Sequence, residues 1–254
     1  VQSIRPSTQV NLRPRHQRGP LTLEPQTFGR SVLGTALEYW PQSADRCDLL
    51  LLAGQHGEEP DCTVILSRAL RALPQAAENV ATVLALNPDG LSRGTRGNAN
   101  GVDLNRNFPT ANWSTEPTSY RWNHDAEPPD DRIFLSTGSA PSSEPETQAL
   151  IDLVEKLQPT QIVALHGPLA CIDDPDQSPL GKWLAEQTGM PLVTDIGYPT
   201  PGSFGTWCAE QYIPIITWEF PHQPIEQLTR DYLPILETLL LGRTPISQLL
   251  SPSS

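Results

Sequence analysis

No segment of this 254-residue chain approaches the ~18 consecutive apolar residues that a membrane-spanning helix needs. The start of the chain lacks the apolar core of a signal peptide, although residues 1–23 carry several arginines and no acid. An arm packed against the domain accounts for that segment, and a cytoplasmic location is the resulting expectation. Cysteine is sparse: Cys47, Cys62, Cys171 and Cys208 stand far apart with no C-x-x-C pair. That excludes a zinc ribbon and a disulfide-stapled scaffold, and leaves reduced, mostly buried thiols. Basic charge is also short. Against 29 acidic residues there are 17 lysines and arginines, a net charge of −12, which argues against a nucleic-acid-binding surface. Internal repeats, linkers and low-complexity tracts are missing, and the 27 prolines are scattered through loops. One domain over residues 1–254 is therefore expected, with an N-terminal arm (1–27) and a long polar surface excursion (112–141) of the kind that is usually functional.

What the chain does have is an alternation of strand-like and helix-like blocks. Strands are expected at Ala36–Tyr39, Asp48–Ala53, Val80–Leu86, Gln161–Leu165, Leu192–Asp195 and Ile213–Glu219. Helices are expected at Pro60–Leu73, Glu144–Leu157, Leu180–Gly189, Ser203–Gln211 and Ile225–Leu241. The second of these has a start signal in Ser143 as N-cap, Pro145 in the first turn and Glu146 three residues after the cap. The alternation predicts an α/β fold: a mixed, mostly parallel central sheet with helices on both faces. In such folds sites gather at the carboxyl ends of strands.

Three apolar runs end in a polar signal. LLLLAGQHGEE supplies His56, Glu58 and Glu59; TQIVALHGP supplies His166; IPIITWEFP supplies Glu219. Singly, each is most often a surface or structural residue. Jointly they fit a catalytic zinc site, which takes three protein ligands, commonly two His and one Glu, and leaves a fourth position open. A carboxylate that is not a ligand can then serve as base, a role for Glu219. The H-E-x-x-H helix of other zinc proteases is absent, so the architecture would differ from theirs. Between these runs lies RGTRGNANGVDLNRNFP (93–109), rich in Gly, Asn and Arg. An Arg–Asn pair suits a carboxylate, and a second arginine suits an oxyanion, though a plain Asn/Gly turn with surface arginines reads the same way.

The combination H-x-x-E at 56–59, D-x-N-R at 103–106, His166 and Glu219 resembles the zinc carboxypeptidase family, from about Phe28 to Leu241. The strings NPDG (87–90), GNANGVDLNRNFP, SEPETQAL, HGPLACIDDP and GYPTPGSFGTWC look like one branch of it: bacterial amidases that cut the γ-D-glutamyl–meso-diaminopimelate bond of murein peptides. The resemblance implies a zinc ion on His56, Glu59 and His166, with Glu219 as general base. It implies Asn105 and Arg106 as holders of the substrate carboxylate and Asp103 as the carboxylate that orients His56. The H-x-x-E pattern selects Glu59 over Glu58, and Pro60 in the first helical turn places Glu59 at the cap, able to fold back toward His56. An R-x-x-R stretch in the family carries the arginine that polarises the scissile carbonyl; RGTR resembles it and leaves Arg93 and Arg96 both open. Tyr198 resembles the family's mobile substrate-contacting tyrosine, and Phe204 falls near the position that tunes the specificity pocket. Gly167-Pro168 stand where the carboxypeptidases commonly have Ser and an aromatic.

The implied substrate is L-Ala-γ-D-Glu-meso-diaminopimelate, in cell-wall peptide recycling or degradation. Its far end carries an extra amine and carboxylate, to be read by Asp173-Asp174 or by the 112–141 excursion. Two other functions share these elements: a zinc deacylase of N-acyl amino acids, of the aspartoacylase or succinylglutamate desuccinylase type, and a non-catalytic peptide-binding module. Neither accounts for the murein-type strings together with an intact set of ligands, base and arginines.

Overall fold

The structure is a computed structural model that describes residues 19, 21, 23–121 and 132–242. In chain order its elements are β1 (Gln26–Arg30), β2 (Ala36–Trp40), β3 (Leu49–Leu52), α1 (Pro60–Ala72), β4 (Val80–Val83) and α2 (Pro88–Arg93). A 3₁₀ turn at Leu104–Arg106 precedes the hairpin strands β5 (Thr118–Arg121) and β6 (Arg132–Leu135). Then follow α3 (Pro145–Leu157), β7 (Gln161–His166), β8 (Leu169–Asp173), α4 (Pro179–Thr188), β9 (Leu192–Val193), α5 (Phe204–Glu210), β10 (Ile215–Pro221) and α6 (Ile225–Leu240).

Eight strands form one sheet in the order β1-β2-β4-β3-β7-β10-β8-β9. The four central strands β4, β3, β7 and β10 run parallel, as does the β8–β9 edge pair; the β1–β2, β2–β4 and β10–β8 pairings are antiparallel. The expected mixed, mostly parallel α/β sheet is what forms. Strand β3 shows why. All four of its leucines are buried, as a strand covered on both faces requires. Leu49 and Leu51 pack with α1, α4 and α6 through Ile65, Leu184 and Leu236, whereas Leu50 and Leu52 pack with α3 and α5 through Leu150, Val154 and Trp207. Burying each such leucine is worth about 2 kcal/mol, so the alternation along one strand ties both helical layers to it. No helix of the described residues is long and apolar enough to cross a membrane.

Several boundaries differ from the expectation. β1 begins at Gln26, inside the segment read as an arm; residues 1–18 of that arm lie outside the described residues. Helix α3 starts one residue later than its signal suggested. Its N-cap is Glu144, and the Ser143 hydroxyl donates to the Glu144 carboxylate (2.7 Å) instead of capping the helix. The excursion 112–141 contains the β5–β6 hairpin, with residues 122–131 outside the description. The antiparallel strand β8 and the six-residue α2 were not expected at all.

Candidate metal centre and cleft

The parallel strands deliver the ionisable residues to one place. β7 and β10 are paired so that His166 and Glu219 are register partners, and across β10 Glu219 also pairs with Cys171 of β8. β3 ends four residues before His56, and the chain turns there through Gly54 at φ 67°, a left-handed value that glycine adopts without strain. At Gly57 an added Cβ would collide with the main chain of Gly90, so the loop lies flush on α2. That close approach holds His56 on one side of the turn and Glu59, the residue before α1, on the other.

His56 Nδ1 lies 2.8 Å from Glu59 Oε1, His166 Nδ1 lies 3.1 Å from Glu59 Oε2, and the two Nδ1 atoms face each other at 3.2 Å. Among the described residues, these three form a group whose ligand atoms all lie within 4.8 Å of one another, and both histidines are buried. Two imidazole lone pairs turned on each other and on a carboxylate repel unless a cation lies between them. The donor set fits a divalent metal, and two His with one Glu is a set that catalytic zinc uses. On the far side of the ring, His56 Nε2 lies 3.2 Å from Asp103 Oδ1, which fixes the tautomer with its proton on Nε2 and leaves Nδ1 free to ligate.

Burial alone would push Glu59 and Asp103 up and His56 down. The local charges reverse this: His56 and His166 hold Glu59 well below the usual carboxylate range, and Arg96 with His56 does the same for Asp103. His56 is pushed up to about 9 by Glu59 and Asp103, against its burial and the nearby Arg96. Glu219 is different. Burial raises its carboxyl, Glu59 adds to this, and His166 only partly offsets them. Its Oε2 is 3.5 Å from the Leu169 amide.

All these groups line a single cleft of about 1450 Å³. Of the two open arginines, Arg93 ends α2 and is exposed, whereas Arg96 is tucked against the metal corner. Arg96 Nε donates to Asp103 Oδ2 (2.9 Å), its Nη1 donates to Glu58 Oε1 (3.1 Å) and lies 3.5 Å from Glu59 Oε1. Asn105 accepts from the Phe204 amide through Oδ1 (2.8 Å), so its Nδ2 keeps no protein partner among the described residues. Arg106 is buried and donates from Nη1 to the Asn105 carbonyl (2.6 Å). Tyr198 is half-exposed at the cleft rim, where Glu219 and Arg106 are among the charges acting on its hydroxyl.

The remaining asparagines of the 93–109 stretch are structural. Asn98 bridges Glu144 and Glu146 (2.7 and 3.0 Å), and Asn107 ties down Thr137 and Ala140. Phe204 departs from its expected role. It is fully buried, stacked on Trp207 and tilted against Phe108 in the layer beneath the cleft, so the pocket wall there is made by Ser203, Gly205 and Thr206. Of the pair Asp173-Asp174, the structure separates the members. Asp174 is buried and accepts from the Ser178 amide and hydroxyl (both 2.7 Å), while Asp173 lines the cleft and its carboxylate takes no hydrogen bond from the described residues. The sequence pattern assigns no role to Glu58 or Tyr120, yet both meet Arg96; the Tyr120 ring centre lies 5.4 Å from the guanidinium carbon. Tyr120 sits within a polar excursion, and nothing in its neighbours signals that it folds back over the site.

Comparison with known proteins gives a consistent set of relatives. The zinc carboxypeptidase family (peptidase M14) matches residues 16–169. The chain is 49% identical over 229 residues to murein peptide amidase A of Escherichia coli (strain K12), covering 90% of this chain and 94% of that protein. It is 46% identical over 213 residues to murein peptide amidase A of Vibrio campbellii, covering 84% and 85%. The crystal structure of a murein-tripeptide amidase from Escherichia coli O157 superposes with a TM-score of 0.87 at 48% identity, over 93% of this chain and 99% of that one.

Proposed function

Because the chain belongs to the zinc carboxypeptidase family, and is a hydrolytic enzyme, we propose that it cuts the γ-D-glutamyl–meso-diaminopimelate amide of murein peptides. The observation that carries this reading is that one cleft is lined together by His56, Glu59, His166, Glu219, Arg96 and the Asn105–Arg106 pair. A metal corner, a carboxylate that is not part of it, and a cationic seat for a carboxylate are what hydrolysis of an amide beside a free carboxylate requires. The substrate class is supported by relatives at 46–49% identity named for murein peptides.

In this reading His56, Glu59 and His166 would hold a zinc ion, which when bound would supply Lewis acidity at the reacting carbonyl and water. Arg106, with the Asn105 amide beside it, holds the free carboxylate next to the scissile bond and sets the register, so binding energy becomes alignment. Glu219 takes a proton from the attacking water and later delivers it to the departing nitrogen. Arg96 is preferred over Arg93 for the oxyanion, because its guanidinium lies at the metal corner and Arg93 ends a helix at the surface. Tyr198 covers the substrate from the rim. Asp173 accepts the ammonium at the far end of diaminopimelate, since it is the member of its pair that lines the cleft. One catalytic domain over 1–254 houses this chemistry, and a cytoplasmic role in recycling wall peptides suits its four free, buried thiols.

Mass spectrometry of L-Ala-γ-D-Glu-meso-diaminopimelate, run beside N-acyl amino acids, tests the proposal. Release of L-Ala-D-Glu and free diaminopimelate is expected, lost with a chelator and restored by zinc. Hydrolysis of the acyl amino acids alone would mark a deacylase, and no hydrolysis of either would mark a binding module.

A further inference from the structure

Glu58 is the residue between the metal ligands that the reaction does not use, and it is oddly placed for a surface turn. Its side chain is about one-fifth exposed, Oε1 accepts from Arg96, and Oε2 is buried with no partner among the described residues. A buried carboxylate with one oxygen unpaired is costly, so a gain elsewhere should account for it. The gain visible here is geometric. Arg96 is held by Nε on Asp103 and by Nη1 on Glu58, on two different edges of one plane. Tyr120, from the β5–β6 hairpin, covers the guanidinium and sets its hydroxyl beside the Arg96 main chain. Only Nη2 is left without a protein partner among the described residues, on a residue that lines the cleft.

We propose that Glu58 and Tyr120 are positioning residues for Arg96: the carboxylate and the ring fix the guanidinium plane so that Nη2 is presented to the oxyanion formed during hydrolysis. This rests on the assignment of the oxyanion to Arg96 made above. A donor that is already oriented costs no reorganisation as charge develops, whereas a long, free arginine must give up side-chain entropy at that moment. The hairpin thereby acquires a function that its short, largely exposed strands do not announce. Glu58, by opposing one edge, also keeps Arg96 from swinging wholly onto Asp103 and Glu59.

The test uses the zinc-loaded full chain and the murein tripeptide. For Glu58→Gln, kcat should fall about 10-fold while KM stays within about twofold and zinc content is unchanged, the pattern of a lost transition-state interaction. Tyr120→Leu should give a smaller fall of the same kind, and Tyr120→Phe, which keeps the ring, should restore most of it. In an Arg96→Ala background, Glu58→Gln should change kcat less than about twofold, because the group it orients is gone. The Nε–H signal of Arg96 in nitrogen-15 NMR should broaden in Glu58→Gln, a readout independent of turnover. An undiminished effect of Glu58→Gln in the Arg96→Ala background, or a change confined to KM, overturns the positioning role and leaves the assignment of Arg96 intact. Near-normal turnover of Arg96→Ala alone overturns both. Loss of zinc in Glu58→Gln would assign Glu58 to the metal corner and equally end the proposal.

Discussion

At the metal end of the cleft, Glu59 and Asp103 are held well below the usual carboxylate range, whereas at the β8 end Asp173 is pushed up to about 6. Burial penalises the charge at both ends. The difference lies in company: Glu59 and Asp103 are surrounded by His56, His166 and Arg96, while the charges acting on Asp173 are the like charges of Asp174 and Asp195. The metal end has a fixed counter-charge in Arg96 and a donor set that fits a divalent cation. The other leaves a carboxylate without a counter-charge, which a cationic group on the substrate would supply.

The sharpest way to break the metal end is to leave its ligands and remove only the proton carrier. Glu219→Gln keeps the size of the side chain and is expected to retain zinc while kcat falls by about 10²–10⁴-fold, read from steady-state kinetics with metal analysis on the same sample. Near-normal turnover would remove Glu219 from the reaction. A smaller effect is expected one contact further out. Asp103→Asn loses the charge shared by His56 Nε2 and Arg96 Nε, and zinc affinity should weaken by about 10–100-fold in a competition titration. An unchanged affinity would mean that the His56 tautomer is set by something other than Asp103.

The same contrast governs how much of the molecule could be read from its sequence. His166 is the last residue of β7, Glu219 stands two residues before the end of β10 and His56 four residues after β3, and buried parallel strands leave an all-apolar trace that points to the residues near their ends. The β8 end leaves no such trace. Strand β8 follows Gly167-Pro168 directly, passes through Ala170 at φ 56° and is partly exposed, so its five residues have neither the length nor the alternation of a strand. The hairpin that brings Tyr120 to Arg96 is short, and the apolar residues Ile133 and Phe134 of β6 are exposed, so no buried face reveals it. Phe204 shows the converse: a residue placed at the pocket by its position in the chain turns inward, because the α5 layer needs an aromatic against Phe108 and Trp207. Local pattern records what packs against the sheet, and it is silent on loops that fold back over a site.

Asp173 offers the finest test of the comparison, because its two expected effects have opposite signs. Its neighbours are Asp174 just after β8, Asp195 beyond β9 and Thr217 in register on β10, and none of them is a cation. With a folded value near 6 against an ordinary value of 3.8, the native state holds a proton that the unfolded chain has already released. Stability from this group is therefore present below about pH 4 and is lost as pH rises through 6. Asp173→Asn carries no charge to lose, so its thermal midpoint should exceed that of the parent at pH 7.5 and match it near pH 4. Substrate binding should run the other way. The parent's KM for the tripeptide should fall as pH rises from 5 to 7 and Asp173 ionises, whereas Asp173→Asn should show a flat KM about 10-fold higher at pH 7, the scale of one charge-assisted hydrogen bond. If Asp173→Asn gained stability at pH 7.5 and left KM and its pH profile untouched, the carboxylate would be a strained bystander. The far end of the substrate would then be read by the 112–141 excursion.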